Sequence, residues 1–287
     1  LVERSSHPLQ GVSLKFARTP PIFKMAMVHF LSLNVGGFRG RDKQREVMHF
    51  ARSCHVHILF LQECNFRTPF DVQSFCSHFG VDAFFSLTDS KMCGVGVVFL
   101  TPALRRRAHC VYGFDGRTLA VDFDLHGRRV RALVIYAPAQ RGGTADFFYS
   151  LDLFMFDSYP TFLVGDFNCV EDTDRDARGR RQSRQYSGVS ALRQLIRNFK
   201  LGDAWVDTHG NDFVATWQRG PNMTRLDDYY FPEVLATHVS CEVLHFPPDV
   251  PRITDHLPVS VKLFFEQSTT FRNHWKMDTT LVHDRKA

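Results

Sequence analysis

The sequence predicts an α/β fold in which two packed, mainly antiparallel β-sheets are flanked by helices, forming a four-layer sandwich. Three observations support this prediction. Short runs rich in Val and Phe, typical of strands, recur along most of the chain. Only a few helical patterns are interspersed among them, which indicates two sheets covered by helices. Several apolar runs end in polar residues, as expected of strands that deliver side chains to one edge of a sheet.

The first third of the chain predicts β-α-β connections. We expect a strand over 28–34, followed by a helix that Asp42 caps and whose apolar residues recur at helical spacing. A second buried strand is expected over 57–63. The next helix has both a start and a stop signal, because Thr68 precedes a proline in the first turn and Gly80 follows the last apolar residue.

Strand patterns dominate the next third of the chain. The expected strands are 82–87, 94–101, 118–125 and 130–136. A helix capped by Thr144 is expected over 145–157. The central strand follows and ends in Gly165-Asp166-Phe167-Asn168, and we expect the polar stretch from there through Arg184 to be a loop.

The last third begins with a helix that we expect Ser187 to cap and Gly202 to end. Four further strands are expected at 214–217, 225–231, 239–245 and 257–264. For the chain as a whole, residues 1–24 are expected to be a disordered leader, 25–265 the folded domain, and 266–287 a polar tail or linker.

The composition fits a large domain with a mildly basic surface. The chain has 287 residues, 44% of them hydrophobic, and a net charge of +5, which permits a polyanionic partner. It has no apolar stretch long enough to span a bilayer, so no membrane partner is expected. Its seven cysteines are odd in number and lack a C-x-x-C pair, which favours a reduced compartment, the cytosol or the nucleus.

Polar side chains close four of the predicted strands. In chain order they are Asn34, Glu63, Tyr136, Asp166 and Asn168. Asp166 and Asn168 alternate with Phe167, so in an extended chain they point to the same side. Because ligands bind beyond the carboxyl ends of strands in open α/β sheets, we expect these side chains to share one edge.

Three more candidates are Asp227, Asp255 and His256. If the final strand runs antiparallel, the Asp255-His256 pair before it lies at the same edge. Asp227 stands in an otherwise apolar strand and needs a partner, for which a neutral histidine is the obvious choice. Oxygen ligands without cysteine suit Mg²⁺ or Mn²⁺, and Glu63, with or without Asp255, suffices to hold one.

Each of these residues also has a purely structural explanation. Asn34 is a common turn former at the end of a strand. Tyr136 is typical of a core tyrosine whose hydroxyl reaches water. Adjacent Asp255 and His256 are an ordinary pair when considered alone. Only a carboxylate directly after a buried run, as at Glu63, is better explained by a metal.

Six blocks occur in the order found in one known family. The blocks are Leu33-Asn34-Val35, Leu61-Gln62-Glu63, Tyr136-Ala137-Pro138, Gly165-Asp166-Phe167-Asn168, Arg225-Leu226-Asp227 and Thr254-Asp255-His256. Together they resemble the endonuclease/exonuclease/phosphatase superfamily, over roughly residues 28–265. Within it the sequence is most similar to exonuclease III-like AP endonucleases and to the endonuclease domains of non-LTR (LINE-type) retrotransposons.

The resemblance implies divalent-metal-dependent hydrolysis of phosphodiester bonds. It implies that Glu63 binds the metal with Asn34 close by, and that Asp166 positions or deprotonates the attacking water. Asn168 and Tyr136 would hold the scissile phosphate. Asp227 would orient His256, and Asp255 would support the metal or the histidine.

Two positions depart from the family pattern. Gly36 stands where many relatives carry Asn, which is expected to weaken a contact near the phosphate. Asp228 follows Asp227 where relatives usually have an aromatic or basic residue, and it is expected to place an extra negative charge near DNA.

We therefore expect an endonuclease that nicks duplex DNA, acts in the nucleus, and belongs to a retrotransposon-derived protein, with a reverse transcriptase possible in a longer polyprotein. The alternatives are an AP endonuclease or exodeoxyribonuclease III-type repair enzyme, and a catalytically degenerate nucleic-acid-binding module. Arg178, Arg180 and Arg181, in a loop directly after the catalytic strand, are candidates for phosphate contacts, as is Trp217 for nucleic acid. A solvated charged loop is an equal alternative for the arginines, because acidic residues are interleaved.

Overall fold

The computed structural model describes residues 25–266 except 91–92, 114, 140–141, 156–159, 182–187, 233, 236–237 and 249–252. The side chains of Met25, Ala26, Arg181 and Glu266 are outside the description as well. The chain divides into two compact units, and Ala26–Phe265 is the larger. The smaller, Leu1–Met25 with Glu266–Ala287, is described only at Met25 and Glu266. The predicted leader and nearly all of the predicted tail therefore lie outside the described residues.

The first sheet has six strands in the order β14-β15-β1-β2-β4-β3. Their bounds are β1 Met25–Asn34, β2 Ile58–Gln62, β3 Asp82–Ser86, β4 Val95–Phe99, β14 His238–Val243 and β15 Val259–Glu266. β1 and β2 are parallel, whereas β2–β4, β3–β4 and β14–β15 are antiparallel. Asn34 faces Gln62 in the register of β1 and β2, so both strands end at the same edge.

The second sheet also has six strands, in the order β10-β13-β8-β7-β6-β5. Their bounds are β5 His109–Tyr112, β6 Thr118–Leu125, β7 Arg128–Tyr136, β8 Thr161–Asp166, β10 Leu201–Asp203 and β13 Asp227–Pro232. β7 and β8 are parallel and the other pairs are antiparallel. A small third sheet joins β9 Ala177–Arg178, β11 Trp217–Arg219 and β12 Asn222–Thr224 in the order β11-β12-β9.

An aromatic core joins the inner faces of the two large sheets. Phe30 of β1 lies 5.6 Å from Phe162 of β8, and Phe60 of β2 lies 6.2 Å from Tyr229 of β13, measured between ring centroids. All four rings are buried, and full burial of such a side chain stabilises the fold by roughly 1.5–3 kcal/mol. This packing brings the ends of β1 and β2 opposite the end of β8 and the start of β13.

Helices cover both outer faces. The helices are α1 Arg41–Ser53, α2 Pro69–Phe79, α3 Pro102–Arg105, α4 Thr144–Ser150, α5 Thr173–Asp176, α6 Val189–Asn198 and α7 Ala204–His209. Val47 and Phe75 of α1 and α2 join the outer core of the first sheet, and Phe148 and Leu192 of α4 and α6 join that of the second. The four-layer sandwich is confirmed. No helix in the described part of the chain is both long and apolar enough to cross a membrane.

The ends of α2 lie where the sequence predicted them, whereas the start of α1 and both ends of α4 differ from the prediction. Thr68 and Gly80 cap α2 as predicted. Gly40, not Asp42, is the N-cap of α1, and Gly143 takes the position expected for Thr144. The helix expected over 145–157 ends at Ser150 and continues as a 3-10 helix over Leu151–Phe154, while Ser187 lies outside the described residues.

Several short helices and strands of the structure were not predicted from the sequence. Gly202 does not end α6, because the chain turns back at Lys200, whose φ is +49°, and Gly202 lies in β10. The expected loop after the central strand contains α5, β9 and a 3-10 helix over Gly179–Arg181. β5, β10 and α7 were also not predicted. Elements this short carry too few residues for a periodic pattern, and neighbouring strands decide their conformation.

Candidate active site

Three residues of the second sheet form a row across adjacent strands. In the strand register Tyr136 of β7 faces Asp166 of β8, and Asp166 faces Asp227 of β13. Residues in register point to the same face of a sheet, so the three side chains stand side by side. The sequence order alone could not provide this register.

The Gly165–Asn168 turn aims two side chains at this row. A Cβ on Gly165 would lie 2.0 Å from the Ile135 carbonyl oxygen, and φ there is +141°, so only glycine fits where β8 approaches β7. Asn168 has φ of +45°, and its backbone N–H donates to Asp166 Oδ1 at 2.9 Å. Its side-chain Nδ2 donates to the Ala137 carbonyl at 3.0 Å, which fixes the amide beside the row.

Asn34 connects the two sheets at their common edge. Its Nδ2 donates to Glu63 Oε1 and to Asp166 Oδ2, each at 2.9 Å. Its Oδ1 accepts the Gly36 N–H at 3.0 Å. The amide oxygen thus accepts one backbone N–H, and the amide nitrogen orients two carboxylates, one from each sheet.

His256 is held by Asp227, as the sequence predicted. The ring Nδ1 lies 2.8 Å from Asp227 Oδ2, and Nε2 points toward Asp166 Oδ2 at 3.9 Å. Asp227 is fixed by its backbone, because the Leu226 and Asp227 N–H groups both donate to the Thr216 hydroxyl at 2.9 and 3.1 Å. The pair is almost fully buried.

Burial and mutual charge shift the proton affinities of this group. Burial, followed by the neighbouring charge of Asp227, raises the pKa of Asp166 to about 7. Burial lowers the pKa of His256, but the charge and hydrogen bond of Asp227, with Asp166 and Asp255, outweigh it and raise that pKa to about 9. At neutral pH the geometry thus supports an imidazolium beside a carboxyl group able to take up a proton.

Tyr136 completes the row on the other side of Asp166. Burial, the charges of Glu63 and Asp166, and a hydrogen bond to Glu63 raise the pKa of its hydroxyl. The Arg117 guanidinium lies 5.1 Å from the ring centroid, and its Nη1 donates to the Tyr136 carbonyl at 3.1 Å. The phenol therefore keeps its proton and can act as a donor at the edge of the site.

The donor set fits a hard divalent cation at Glu63. This half-buried carboxylate follows β2 with φ of +55°, accepts from Asn34, and shares the edge with Asp166, Asp227 and Asp255. Carboxylate oxygens are the ligands that Mg²⁺ and Mn²⁺ prefer in proteins. Asp166, Asp227 and His256 also have ligand atoms within 4.8 Å of one another. There, however, His256 Nδ1 is engaged by Asp227, so that trio is better suited to moving protons.

Asp255 and Trp217 lie beside the edge and contact each other. Asp255 is exposed, and its Oδ2 accepts the Trp217 indole N–H at 2.9 Å. Trp217 also forms an antiparallel bridge with His256. Trp217 thus supports the loop that carries the histidine, and its contact with nucleic acid stays a prediction.

The three arginines predicted to contact nucleic acid differ in placement. Arg178 is half-buried, stacks 4.0 Å over the Phe213 ring, and donates to the carbonyls of Asp174 and Ala177 at 2.8 and 2.7 Å. It stabilises its own loop. Arg180 is exposed, and the side chain of Arg181 lies outside the described residues.

The structure corrects the expectation for Asp228. Its side chain is buried on the face of β13 opposite to Asp227, where it pairs with Arg225. It therefore adds no exposed negative charge near DNA. Successive strand residues point to opposite faces, which is why the two adjacent aspartates separate.

Three residues near the site had no assigned role in the sequence analysis. Lys43 donates to the Val35 carbonyl at 2.8 Å, and Glu63 and Asp255 interact with its charge. Burial outweighs these charges and lowers its pKa. Thr216 and Arg117 are the others, through the contacts given above. A lysine or threonine carries no local pattern that marks such a contact in sequence.

The chain is similar to known proteins in its family, its sequence and its structure. The family described as Endonuclease/Exonuclease/phosphatase matches residues 31–256. An uncharacterized 149 kDa protein of transposon TX1 from Xenopus laevis is 26% identical over 261 residues, which are 88% of this chain. The chain spans 19% of the length of that relative.

Solved structures share the fold at low sequence identity. An AP endonuclease from Archaeoglobus fulgidus superposes with a TM-score of 0.68 at 15% identity, over 82% of this chain and 98% of that one. An AP endonuclease from Leishmania major gives 0.64 at 17%, over 83% and 87%. The endonuclease domain of TRAS1, a telomere-specific non-LTR retrotransposon, gives 0.61 at 13%, over 83% and 98%.

Proposed function

Because the chain belongs to the endonuclease/exonuclease/phosphatase family, we propose that it is a divalent-metal-dependent endonuclease that nicks duplex DNA. One observation carries the proposal: Asn34 hydrogen-bonds Glu63 of one sheet and Asp166 of the other, beside the Asp227–His256 pair. A cation site and a proton-transfer site therefore share one edge. The similarity to the transposon TX1 protein supports an enzyme of the transposon type. For such an enzyme we propose action on DNA in the nucleus.

Asp166 is the general base of the proposed reaction. Its raised pKa, about 7, makes it an effective proton acceptor near neutral pH. Asn34 and the Asn168 backbone fix its two oxygens, so the carboxylate can orient a water for in-line attack. The new O–P bond forms as the water proton passes to Asp166.

His256 and Asn168 stabilise the phosphate. The imidazolium uses Nδ1 to bond Asp227, which leaves its Nε2–H for a non-bridging oxygen. The side-chain amide of Asn168 donates one proton to the Ala137 carbonyl, and its other proton can be donated to the phosphate. The Tyr136 hydroxyl is a further donor on the Glu63 side.

Glu63 is the residue that would hold Mg²⁺ or Mn²⁺. Such an ion, when bound, neutralises charge on the phosphate and on the leaving oxygen. The P–O3′ bond breaks and the leaving O3′ takes up a proton from solvent water, so the products are a 5′-phosphate and a 3′-hydroxyl end.

Nicking of a supercoiled plasmid tests the proposal. Wild type should convert it to the open circle with Mg²⁺ or Mn²⁺, and D166A should lose on the order of a hundredfold or more in rate. D124N is a matched control, because Asp124 lies in the same sheet and pairs with Arg107 and Arg129 away from the edge. Full activity in excess EDTA would contradict the metal requirement.

A paired substrate separates the two endonuclease classes. One duplex is prepared with and without a single abasic site, and cleavage of both is compared at equal enzyme. A retrotransposon-type enzyme should cut the intact duplex better. A strong preference for the abasic strand would instead support the repair class, whose members share the fold.

A further inference from the structure

A buried arginine outside the catalytic row binds three carboxylates. Arg225 is 2% exposed, and its Nε donates to Asp176 Oδ1 at 3.0 Å. Nη1 and Nη2 donate to the two oxygens of Asp203 at 3.0 and 2.7 Å, and Nη1 also donates to Asp228. The planar guanidinium thus donates from all three of its nitrogens to carboxylates on separate elements.

Two of those carboxylates, Asp176 and Asp228, lie beside the segments that carry the catalytic groups. Asp176 ends α5, which follows the catalytic strand, and Asp228 follows Asp227 directly. The backbone repeats the connection, because the Arg225 N–H donates to the Asp176 carbonyl at 2.9 Å. The Phe167 N–H, beside Asp166, donates to the Leu226 carbonyl at 2.8 Å. Arg225 therefore fixes the start of β13 against the turn after β8.

Charge gives a second reason for an arginine here. Asp227 and Asp228 are adjacent and both almost fully buried, on opposite faces of β13. Burial raises the pKa of Asp228, and the Arg225 charge opposes that rise. Without Arg225, the negative charges of Asp227 and Asp228 would lie buried next to each other. One carboxylate would then take up a proton, or its segment would shift.

We propose that Arg225 is a positioning residue, which holds Asp227 at hydrogen-bonding distance from His256 through the Asp176–Asp203–Asp228 cluster. This inference rests on the proposed nuclease function, in which the Asp227–His256 pair serves the phosphate. Arg225 acts through Asp227 and touches no reacting atom.

The arginine-to-lysine variant removes the fork while keeping the charge. A lysine ammonium is a point charge and cannot reach three carboxylates in a plane, so R225K should loosen the segment. We expect R225K to lower the kcat for plasmid nicking by about ten- to a hundredfold, as small displacements of catalytic groups do, with KM little changed. The matched control is R131K, because Arg131 is a buried arginine that forks to Asp122 in the same sheet, away from the catalytic edge. R131K should keep the wild-type kcat.

A double-mutant cycle with D227N separates positioning from general destabilisation. If Arg225 acts through Asp227, R225K should cost less than about threefold in kcat once D227N has removed the pair. An equal loss in both backgrounds would overturn the proposal. If R225K does not fold, D228N replaces it, since it removes the carboxylate next to Asp227 and leaves Arg225 two partners. The same loss of effect in D227N is expected.

A second measurement does not depend on catalysis. The hydrogen-bonded Nδ1 proton of His256 should give a downfield proton resonance, assigned by its absence in H256Q. It should persist in R131K and shift or broaden in R225K, or in D228N. If wild type cleaves no DNA, the proposed function fails, and this resonance alone decides the positioning role. An unchanged resonance in R225K would refute it.

Discussion

Replacing Asp227 with asparagine tests the central pair of the site, because it removes a charge and keeps the shape. Asp227 is the main cause that raises the pKa of His256 from 6.5 to about 9. At about 1.4 kcal/mol for each pKa unit, this favours the imidazolium by about 3 kcal/mol. Burial lowers the pKa, and in D227N only Asp166 and Asp255 are left among the named charges that oppose it, so a smaller fraction of the rings should be charged at pH 7.5. The loss of that cation beside the phosphate should cost on the order of a hundredfold in kcat.

The pH dependence of the nicking rate shows the direction of both pKa shifts. In wild type the rate should rise as Asp166 loses its proton near pH 7 and fall as His256 loses its proton near pH 9. D227N removes a charge that raises both pKa values, so both limbs should move to lower pH. The assay is plasmid nicking from pH 5.5 to 9.5 at constant ionic strength and saturating Mg²⁺, with D124N as the control. Limbs that stay in place in folded D227N would refute the reasoning.

Three other predictions follow from single contacts. E63Q should raise the Mg²⁺ concentration for half-maximal nicking by on the order of tenfold or more, and Mn²⁺ binding measured by electron paramagnetic resonance should weaken in parallel; unchanged binding would place the ion elsewhere. G165A should destabilise the fold by at least about 3 kcal/mol in urea unfolding, because its Cβ would meet a backbone carbonyl at 2.0 Å, and wild-type stability would contradict the assigned backbone conformation. Burial, then Lys262 and His57, lower the pKa of His29 to about 4, below its unfolded value of 6.5. Stability should therefore fall as the pH drops from about 6.5 through 4, and H29Q should flatten that decline in urea midpoints, whereas a parallel decline would exclude His29 as its cause.

Sequence reasoning was strongest where the signal is local. α2 has its cap, its proline and its terminal glycine within one segment, and both ends lie where they were predicted. The central strand is an apolar run with a glycine that no other residue can replace, and it leads directly to Asp166. Asp166 was selected because it ends a buried strand, His256 because it directly precedes the last strand, and Asp227 because a polar residue in an apolar strand needs a partner. Each of these signals is present in the local sequence.

Sequence reasoning failed where distant segments decide the conformation. β10 and α7 exist because β13 and the Arg225 cluster lie beside them, and no periodicity over so few residues reports this. The prediction that Asp228 places an extra negative charge near DNA was wrong for the same reason. A strand buries alternate residues on opposite faces, but only the packing of both faces shows that the second aspartate is also buried.

By itself the sequence determined which residues are able to do chemistry and which strands deliver them, because residue type and alternation are properties of the chain. Only the tertiary structure decided which side chains contact each other. Asn34 joins Glu63 to Asp166 across two sheets, and Trp217 contacts Asp255 across 38 residues. Such contacts depend on strand order and register, and these are set by the packing of the whole core rather than by any one segment.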